Sequence, residues 1–276
     1  MFWNQCFLRL KNRIHILDRE IFDRIGVDIR LSSSQAKVGK FALTNLAAAI
    51  QIKNGLGIFD LGHANVFGGS FQSNIEVIPA EKKMRIKGRV SGTSVDIQTA
   101  TKALGMTPFV QSKANFTMTA ETLGSSWSEI FSKIQGKLTL NMSSGRLLGY
   151  DLNDLQMRLS KNEQFLLIGN EALSTAFDLW DIQTSFSDGT MKGTESLMGT
   201  ADWSLSIWGT ISFAVMQDLQ NEFRLLARLR KTHSSETLCQ DVQCLANSLV
   251  CPFTFSLNSK EQERGIFLVK KGVYAN

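Results

Sequence analysis

The sequence is poor in proline and has no long apolar run. Only 3 of its 276 residues are proline, and its 21 glycines fall mainly between apolar segments. This composition excludes a collagen-like chain and a proline-rich disordered one. No segment approaches the roughly 20 apolar residues of a membrane-spanning helix. We therefore expect a folded, globular chain with turns at many of its glycines.

Residues and motifs that carry catalysis are also scarce. Three histidines lie far apart, without neighbours at the spacing of a metal site or a catalytic triad: His15, His63 and His233. Nucleophile-elbow, P-loop and dinucleotide-binding motifs are absent. Strand alternation and a turn explain the cluster of Asp178, Asp181 and Asp188. We expect no enzyme activity, no cofactor and no catalytic, cofactor-binding or metal-binding residues.

Four cysteines are present, without a C-x-x-C spacing or a paired histidine: Cys6, Cys239, Cys244 and Cys251. A zinc site is therefore not expected. A disulfide between Cys239 and Cys244 in an oxidising compartment and a pair of buried thiols on a helix both remain open.

The charge is mildly basic, with 30 basic and 25 acidic residues. A local basic cluster lies on one side of a predicted strand: Lys83, Arg85, Lys87 and Arg89, with Lys82 beside them. This cluster suits anionic head groups or nucleic acid, but a solvated strand face is commonly charged. Because no aromatic residues are interleaved with it, we expect no nucleic-acid partner.

Alternation of apolar and polar residues is the dominant pattern from Val27 onward. In "NLAAAIQIKNGLGIFDL" the apolar residues of one strand precede a turn at Asn54-Gly55, and the next strand resumes with Leu56 and Ile58. Further strands are predicted around a turn at Gly68-Gly69, in "KMRIKGRV", in "ANFTMTA", on both sides of the Asp188-Gly189 turn in "WDIQTSFSDGTMKG", and in "ADWSLSIWGTISF". In "KLTLNMSSGRLLGYDL", residues 137–152, we predict a hairpin that turns at Ser143–Gly145.

Helices are predicted at four places. One begins after the cap Asp96 and ends at Gly105, and another carries the capping box Ser126 to Glu129. The segments "MQDLQNEFRLLARLRK" and "SSETLCQDVQCLANSL" are also interpreted as helical, and a last strand, "FTFSLNS", follows Pro252.

The expected fold class is mainly β (α+β). We expect a long, curved, groove-like antiparallel meander of about ten strands with a few short amphipathic helices. Three regions are predicted: an N-terminal segment 1–26, a β domain 27–213, and a helical tail 214–276 with a final strand.

The order of elements over residues 27 to 213 resembles the C-terminal region of the AsmA-like family (AsmA/TamB-type envelope proteins) of Gram-negative bacteria. The motifs that carry the resemblance are glycine turns and a Gly-aromatic-Asp-Leu sequence: Gly68-Gly69, Gly136, Gly145, Gly149, Asp151 and Leu152. Those residues are turn and packing signatures and provide no catalytic group.

The resemblance implies a non-enzymatic protein of the cell envelope, located in the periplasm or associated with the inner membrane. It also implies a role in outer-membrane biogenesis and in the handling of phospholipid or other acyl lipids along an apolar β groove. The opening "MFWNQCFLRLKNR" is not predicted to be a signal peptide or the family's N-terminal anchor. We therefore expect export and membrane attachment to depend on another segment or on envelope partners. A β-sandwich-type binding module and a truncated, non-functional fragment of a larger AsmA-like protein remain as alternatives.

Overall fold

The computed structural model describes residues 26–80, 83–162, 164–188, 190–201, 203–212, 223–231, 250–257 and 266–271. The strands in these ranges are β1 Val27–Val38, β2 Phe41–Lys53, β3 Leu56–Val66, β4 Gly69–Ala80, β5 Lys83–Asp96, β6 Val110–Gly124, β7 Gln135–Leu148, β8 Gln164–Ile168, β9 Ser174–Ser187, β10 Thr190–Gly199, β11 Trp203–Ser212, β12 Phe223–Lys231, β13 Val250–Leu257 and β14 Ile266–Lys271. The helices in the same ranges are α1 Ile97–Ala103, α2 Trp127–Ser132 and α3 Leu152–Lys161.

The strands form a 14-stranded sheet in the order β1-β2-β3-β4-β5-β6-β7-β9-β10-β11-β12-β13-β14-β8. Neighbours in this order are consecutive strands of the chain, with two exceptions: β7 is followed by β9, and β8 pairs with β14. The mainly β fold with short helices is therefore confirmed, with more strands than the ten expected.

The chain divides into two compact units. Of the described residues, the first unit comprises those up to 108, 113–140 and 185–191, and the second comprises 109–112, 141–184 and those from 192 onward. In the first unit, buried Val77 and Met84 form a small cluster to which half-buried apolar residues of β2 to β5 add. In the second unit, the Phe177 and Trp180 rings pack edge to face with centroids 5.7 Å apart.

Local turn signals are confirmed at Asn54-Gly55, where both residues have positive φ angles, 52° and 75°. Such a turn matches the right-handed twist of the strands that it joins. The turn predicted at Gly68-Gly69 lies one residue earlier, at Phe67-Gly68. Gly69 is the first residue of β4, and a Cβ there would lie 2.5 Å from the Thr93 carbonyl oxygen. Gly69 therefore permits close packing, and Gly68 permits the turn.

The hairpin predicted at Ser143–Gly145 is wrong, because β7 continues through these residues. A Cβ on Gly145 would lie 2.5 Å from Cζ of Phe177 and 2.6 Å from Cβ of Ser112. Gly145 is therefore a packing glycine, and the chain turns at Gly149, where φ is +88°.

The helix predicted for "MQDLQNEFRLLARLRK" is also wrong where the structure describes it, since residues 223–231 form β12. β12 pairs with β11 on one side and with β13 on the other. Residues 216–222 and the helix predicted at 234–249 lie outside the described residues. The last predicted strand is confirmed as β13, which begins at Val250, and β14 is an additional strand.

The predicted helix starts are confirmed. The Asp96 side chain accepts a hydrogen bond from the Thr99 N–H at 2.6 Å, and Gly105 ends α1 with a positive φ angle. At α2, the Ser126 hydroxyl accepts from the Glu129 N–H at 3.2 Å. Sequence reasoning missed α3, although Asp151 caps it and its leucines recur at helical spacing.

Candidate functional site

The first unit carries an apolar face that runs across β1 to β5. The strand registers place Ile29 opposite Ile50, Ile50 opposite Phe59, and Phe59 opposite Ile75. The apolar face consists of the residues in this row and the rows on either side of it: Val27, Ile29, Leu31, Ala48, Ile50, Ile52, Phe59, Leu61, Ile75, Val77, Ile86 and Val90. Ile58, which the sequence pattern singles out, lies opposite Gln51 on the other face.

Exposure of the apolar face increases toward β1. Val77 is 6% exposed, whereas Ile50 is 36% exposed and Ile29 is 54% exposed. Isolated exposed apolar residues are normal on a protein surface, but a contiguous patch marks an interaction site. The β1 and β2 part of the apolar face is therefore the strongest candidate for contact with another molecule.

Helix α2 packs against one end of the apolar face. The buried Thr122 hydroxyl donates to the Ile130 carbonyl oxygen at 2.7 Å, and Thr122 lies opposite Ile86 in the β5–β6 register. A Cβ on Gly124 would lie 2.8 Å from the Ile130 nitrogen, so glycine permits this close approach. The apolar face is thus limited along the strands by α2.

Four phenylalanines lie toward the opposite ends of the same strands, with successive ring centroids 5.5, 6.1 and 5.6 Å apart: Phe41, Phe67, Phe71 and Phe116. We call them the phenylalanine row. Phe71 and Phe116 flank Gly92 in the strand register. Edge-to-face ring contacts of this kind stabilise a sheet beyond the burial of area.

The basic cluster of β5 lies on the opposite face and is partly neutralised. Arg85 and Lys87 approach the Glu121 carboxylate to 3.6 and 3.8 Å, and Lys83 approaches Glu129 to 3.3 Å. These pairs are exposed, so each contributes little to stability. Because β6 and α2 supply two carboxylates to these four cations, the cluster favours an anionic ligand less than the sequence indicates.

The Glu129 carboxylate is surrounded by cations and hydrogen-bond donors. The Lys133 ammonium, the Ser125 N–H and hydroxyl, and Lys83 hold the pKa of its carboxyl well below the usual range. Glu129 reaches back to Ser125 rather than to the Ser126 N–H that a capping box would use. Its contacts tie α2 to β5.

The second unit contains an open cleft of about 580 Å³ around the start of α3, which sequence reasoning missed. Tyr150, Asp151 and Glu171 contribute to its lining. Two further lining residues, Arg158 and Asp154, pair with each other at 2.9 Å. Burial raises the pKa of Tyr150. No histidine, cysteine or lysine is among the residues that line this cleft.

The remaining chemical candidates are dispersed. His63 lies half-buried at the bulge of β3, and Asp181 accepts a hydrogen bond from the Asn141 amide at 2.7 Å. Asp178 is exposed on β9, and Asp188 lies in the turn after it. His15, His233 and three of the cysteines lie outside the described residues, and of Cys251 the structure describes the backbone alone. Across the described ranges, no three His, Cys, Asp or Glu residues come together as a possible metal site.

None of the helices in the described part of the chain combines the length and the hydrophobicity needed to cross a membrane.

The fold and the apolar face define an antiparallel sheet protein with a contiguous apolar surface. The sequence model of the AsmA family matches residues 11–195, about two thirds of the chain. The chain therefore belongs to the AsmA family, a family of cell-envelope proteins. Comparisons with curated proteins and with solved structures give no significant match.

Proposed function

We propose that this chain is a non-enzymatic envelope protein of AsmA/TamB type whose apolar face contacts the acyl chains of phospholipids or other acyl lipids. The observation that carries the proposal is the contiguous apolar face with its exposed members Ile29, Leu31 and Ile50. In this proposal the matched region corresponds to the C-terminal region of larger family members, and the sheet curves into a groove that faces the periplasm. Its role lies in outer-membrane biogenesis, with attachment to the inner membrane.

The dimensions of the apolar face suit an acyl chain. Strands β1 to β6 lie about 4.8 Å apart, which makes this part of the sheet about 24 Å wide. The eight residue steps of β5 from Met84 to Gly92 separate α2 from the phenylalanine row by about 26 Å. A lipid chain that fills one leaflet spans about 15 Å, half of the roughly 30 Å hydrocarbon core.

The binding energy in this proposal comes from area burial. Each buried methylene contributes about 0.8 kcal/mol, and apolar area contributes roughly 25 cal/mol per Å². Neither term depends on a particular head group. We therefore expect broad selectivity among acyl lipids and no single anchoring residue.

The test uses two adjacent residues of β2 that point to opposite faces. Ile50→Glu places a carboxylate on the apolar face, and Gln51→Glu places one on the polar face. The full chain and both variants are purified from a Gram-negative host in mild detergent, and bound phospholipid is quantified by mass spectrometry. We expect lipid with the unchanged chain and with Gln51→Glu, and several-fold less with Ile50→Glu. Equal lipid content in both variants, or a folded chain without lipid, contradicts the proposal.

A further inference from the structure

The outer edge of β1 lacks three of the features that commonly protect a sheet edge, namely shortness, a bulge and proline. Among the described residues, β1 pairs with β2 alone, and it lies at one end of the strand order. The 12 residues from Val27 to Val38 contain no proline and pair with β2 without a register shift. Natural edge strands are usually short, bulged or interrupted by proline, because a long regular edge is a template for another strand.

Within the described part of the chain, two apolar side chains of this edge strand are largely exposed. Ile29 and Leu31 are 54% and 53% exposed, although both belong to the apolar face. Their counterparts on β3 and β4, Phe59 and Ile75, have a strand on each side and are half-buried. One additional strand beside β1 would give Ile29 and Leu31 the same surroundings.

The beginning of β1 is complementary to itself. Asp28 and Arg30 lie on the same side of the strand, with Oδ1 and Nε 3.8 Å apart. If two copies pair antiparallel about Ile29, Asp28 of each copy lies opposite Arg30 of the other. Val27 then lies opposite Leu31, and Ile29 lies opposite itself. Opposite charges and apolar pairs directly across a strand pair both stabilise it.

Neighbouring registers are less favourable. A pairing centred on Arg30 places two guanidinium groups opposite each other. A pairing centred on Leu31 places Asp28 and Arg30 opposite serines. The symmetric antiparallel register that satisfies both charges is therefore the one centred on Ile29.

We propose that this edge binds a second copy of the chain, by antiparallel pairing of Val27–Leu31 about a twofold axis at Ile29. The axis is perpendicular to the sheet, so the apolar faces of both copies lie on the same side and form one surface. The proposal does not depend on lipid binding. Five residues from each copy make a small interface, so we expect a weak dimer.

Charge reversal tests the register. Sedimentation velocity of the full chain over a range of concentrations measures the dimer Kd of Asp28→Arg, Arg30→Asp and the double exchange, with Gln72→Arg as a control on the polar face of β4. We expect each single reversal to raise Kd at least about tenfold, because two symmetric pairs become repulsive. The double exchange restores the original Kd, and Gln72→Arg leaves it unchanged. A monomer at all concentrations, or a double exchange as weak as the single variants, overturns the proposal.

Disulfide trapping provides a second measurement if a charge variant does not fold. The four native cysteines are first replaced by serine. In the proposed dimer, the cysteine of Ile29→Cys lies opposite the same cysteine of the second chain, so the variant should form a covalent dimer under mild oxidation. Leu31→Cys places a cysteine on the same face, but position 31 of the second chain lies four residues away along the strand. This variant should therefore not form the covalent dimer. Equal trapping of the two variants contradicts the pairing about Ile29.

Discussion

Gly92 should be intolerant of a methyl group because the Phe116 ring lies over it. A Cβ at Gly92 would be 2.3 Å from Cε1 of Phe116, and 2.9 Å from its Cδ1 and Cζ. The ring cannot move freely, because it also packs edge to face on Phe71 at a centroid distance of 5.6 Å. Gly92→Ala therefore displaces a ring of the phenylalanine row.

The size of this effect follows from two opposing terms. Overpacking of this kind costs about 1–3 kcal/mol. Replacement of glycine by alanine within a strand recovers a fraction of about 1 kcal/mol. The net loss should be about 1–2 kcal/mol, which in a chain of this size lowers Tm by roughly 2–8 °C.

The control is Gly88→Ala, four residues earlier in β5 and on the same face. Its Cβ would meet Ile75 at 3.6 Å, an ordinary contact, so we expect an unchanged or slightly higher Tm. Thermal and urea unfolding of both variants should separate them. In a Phe116→Ala background the cost of Gly92→Ala should disappear. Equal Tm values for the two alanine variants would refute the proposed packing.

Two other predictions concern the helices. Because the pKa of Glu129 lies below its usual value of 4.5 in the folded chain, its stabilising effect is complete above that pH and is lost as the pH falls toward the folded-state pKa. The difference in Tm between the unchanged chain and Glu129→Gln should accordingly shrink on acidification below about 4.5, and a constant difference would contradict this assignment. In α3, Leu159→Ala should cost about 2–5 kcal/mol because Leu159 is 0% exposed, whereas Met157→Ala, at a residue that is 51% exposed, should cost less than about 0.5 kcal/mol. Urea unfolding measures both changes, and similar costs would show that α3 does not bury Leu159.

The features that could be predicted from the sequence are those whose conformation depends on residues close together in the chain. Asn54-Gly55 makes a turn because both residues tolerate positive φ angles, and Asp96 caps a helix because its carboxylate reaches an N–H three residues away. Strand alternation identified Ile50 and Ile52 as members of one face. These signals need no knowledge of the rest of the fold.

The incorrect predictions concern segments whose conformation depends on residues far away in the sequence. Gly145 indicates a turn locally, but its missing side chain accommodates Phe177, 32 residues later in the chain. The segment "FRLLARLRK" has apolar residues at helical spacing, but Phe223, Leu225 and Ala227 also alternate as in a strand. Pairing with β11 and β13 stabilises the strand conformation. The basic residues of β5 are visible in the sequence, but their carboxylate partners Glu121 and Glu129 come from later segments of the chain.

The candidate surface was predictable in part. Alternation indicated one dry face and one wet face, but it did not indicate that Phe59, rather than Ile58, continues the row of Ile50. That assignment depends on the register across the Asn54-Gly55 turn. Neither the unprotected edge of β1 nor the position of α2 at the end of the apolar face follows from local sequence.

Photo-crosslinking inside the cell tests lipid contact at the apolar face most directly. A benzoylphenylalanine replaces Phe59 on the apolar face or, as the control, Gln72, which lies opposite Ser91 on the polar face. After irradiation, mass spectrometry identifies the adducts on the full chain. We predict phospholipid adducts at position 59 and none at position 72. Lipid adducts of equal yield at both positions, or none at position 59 in a folded chain, would contradict the account.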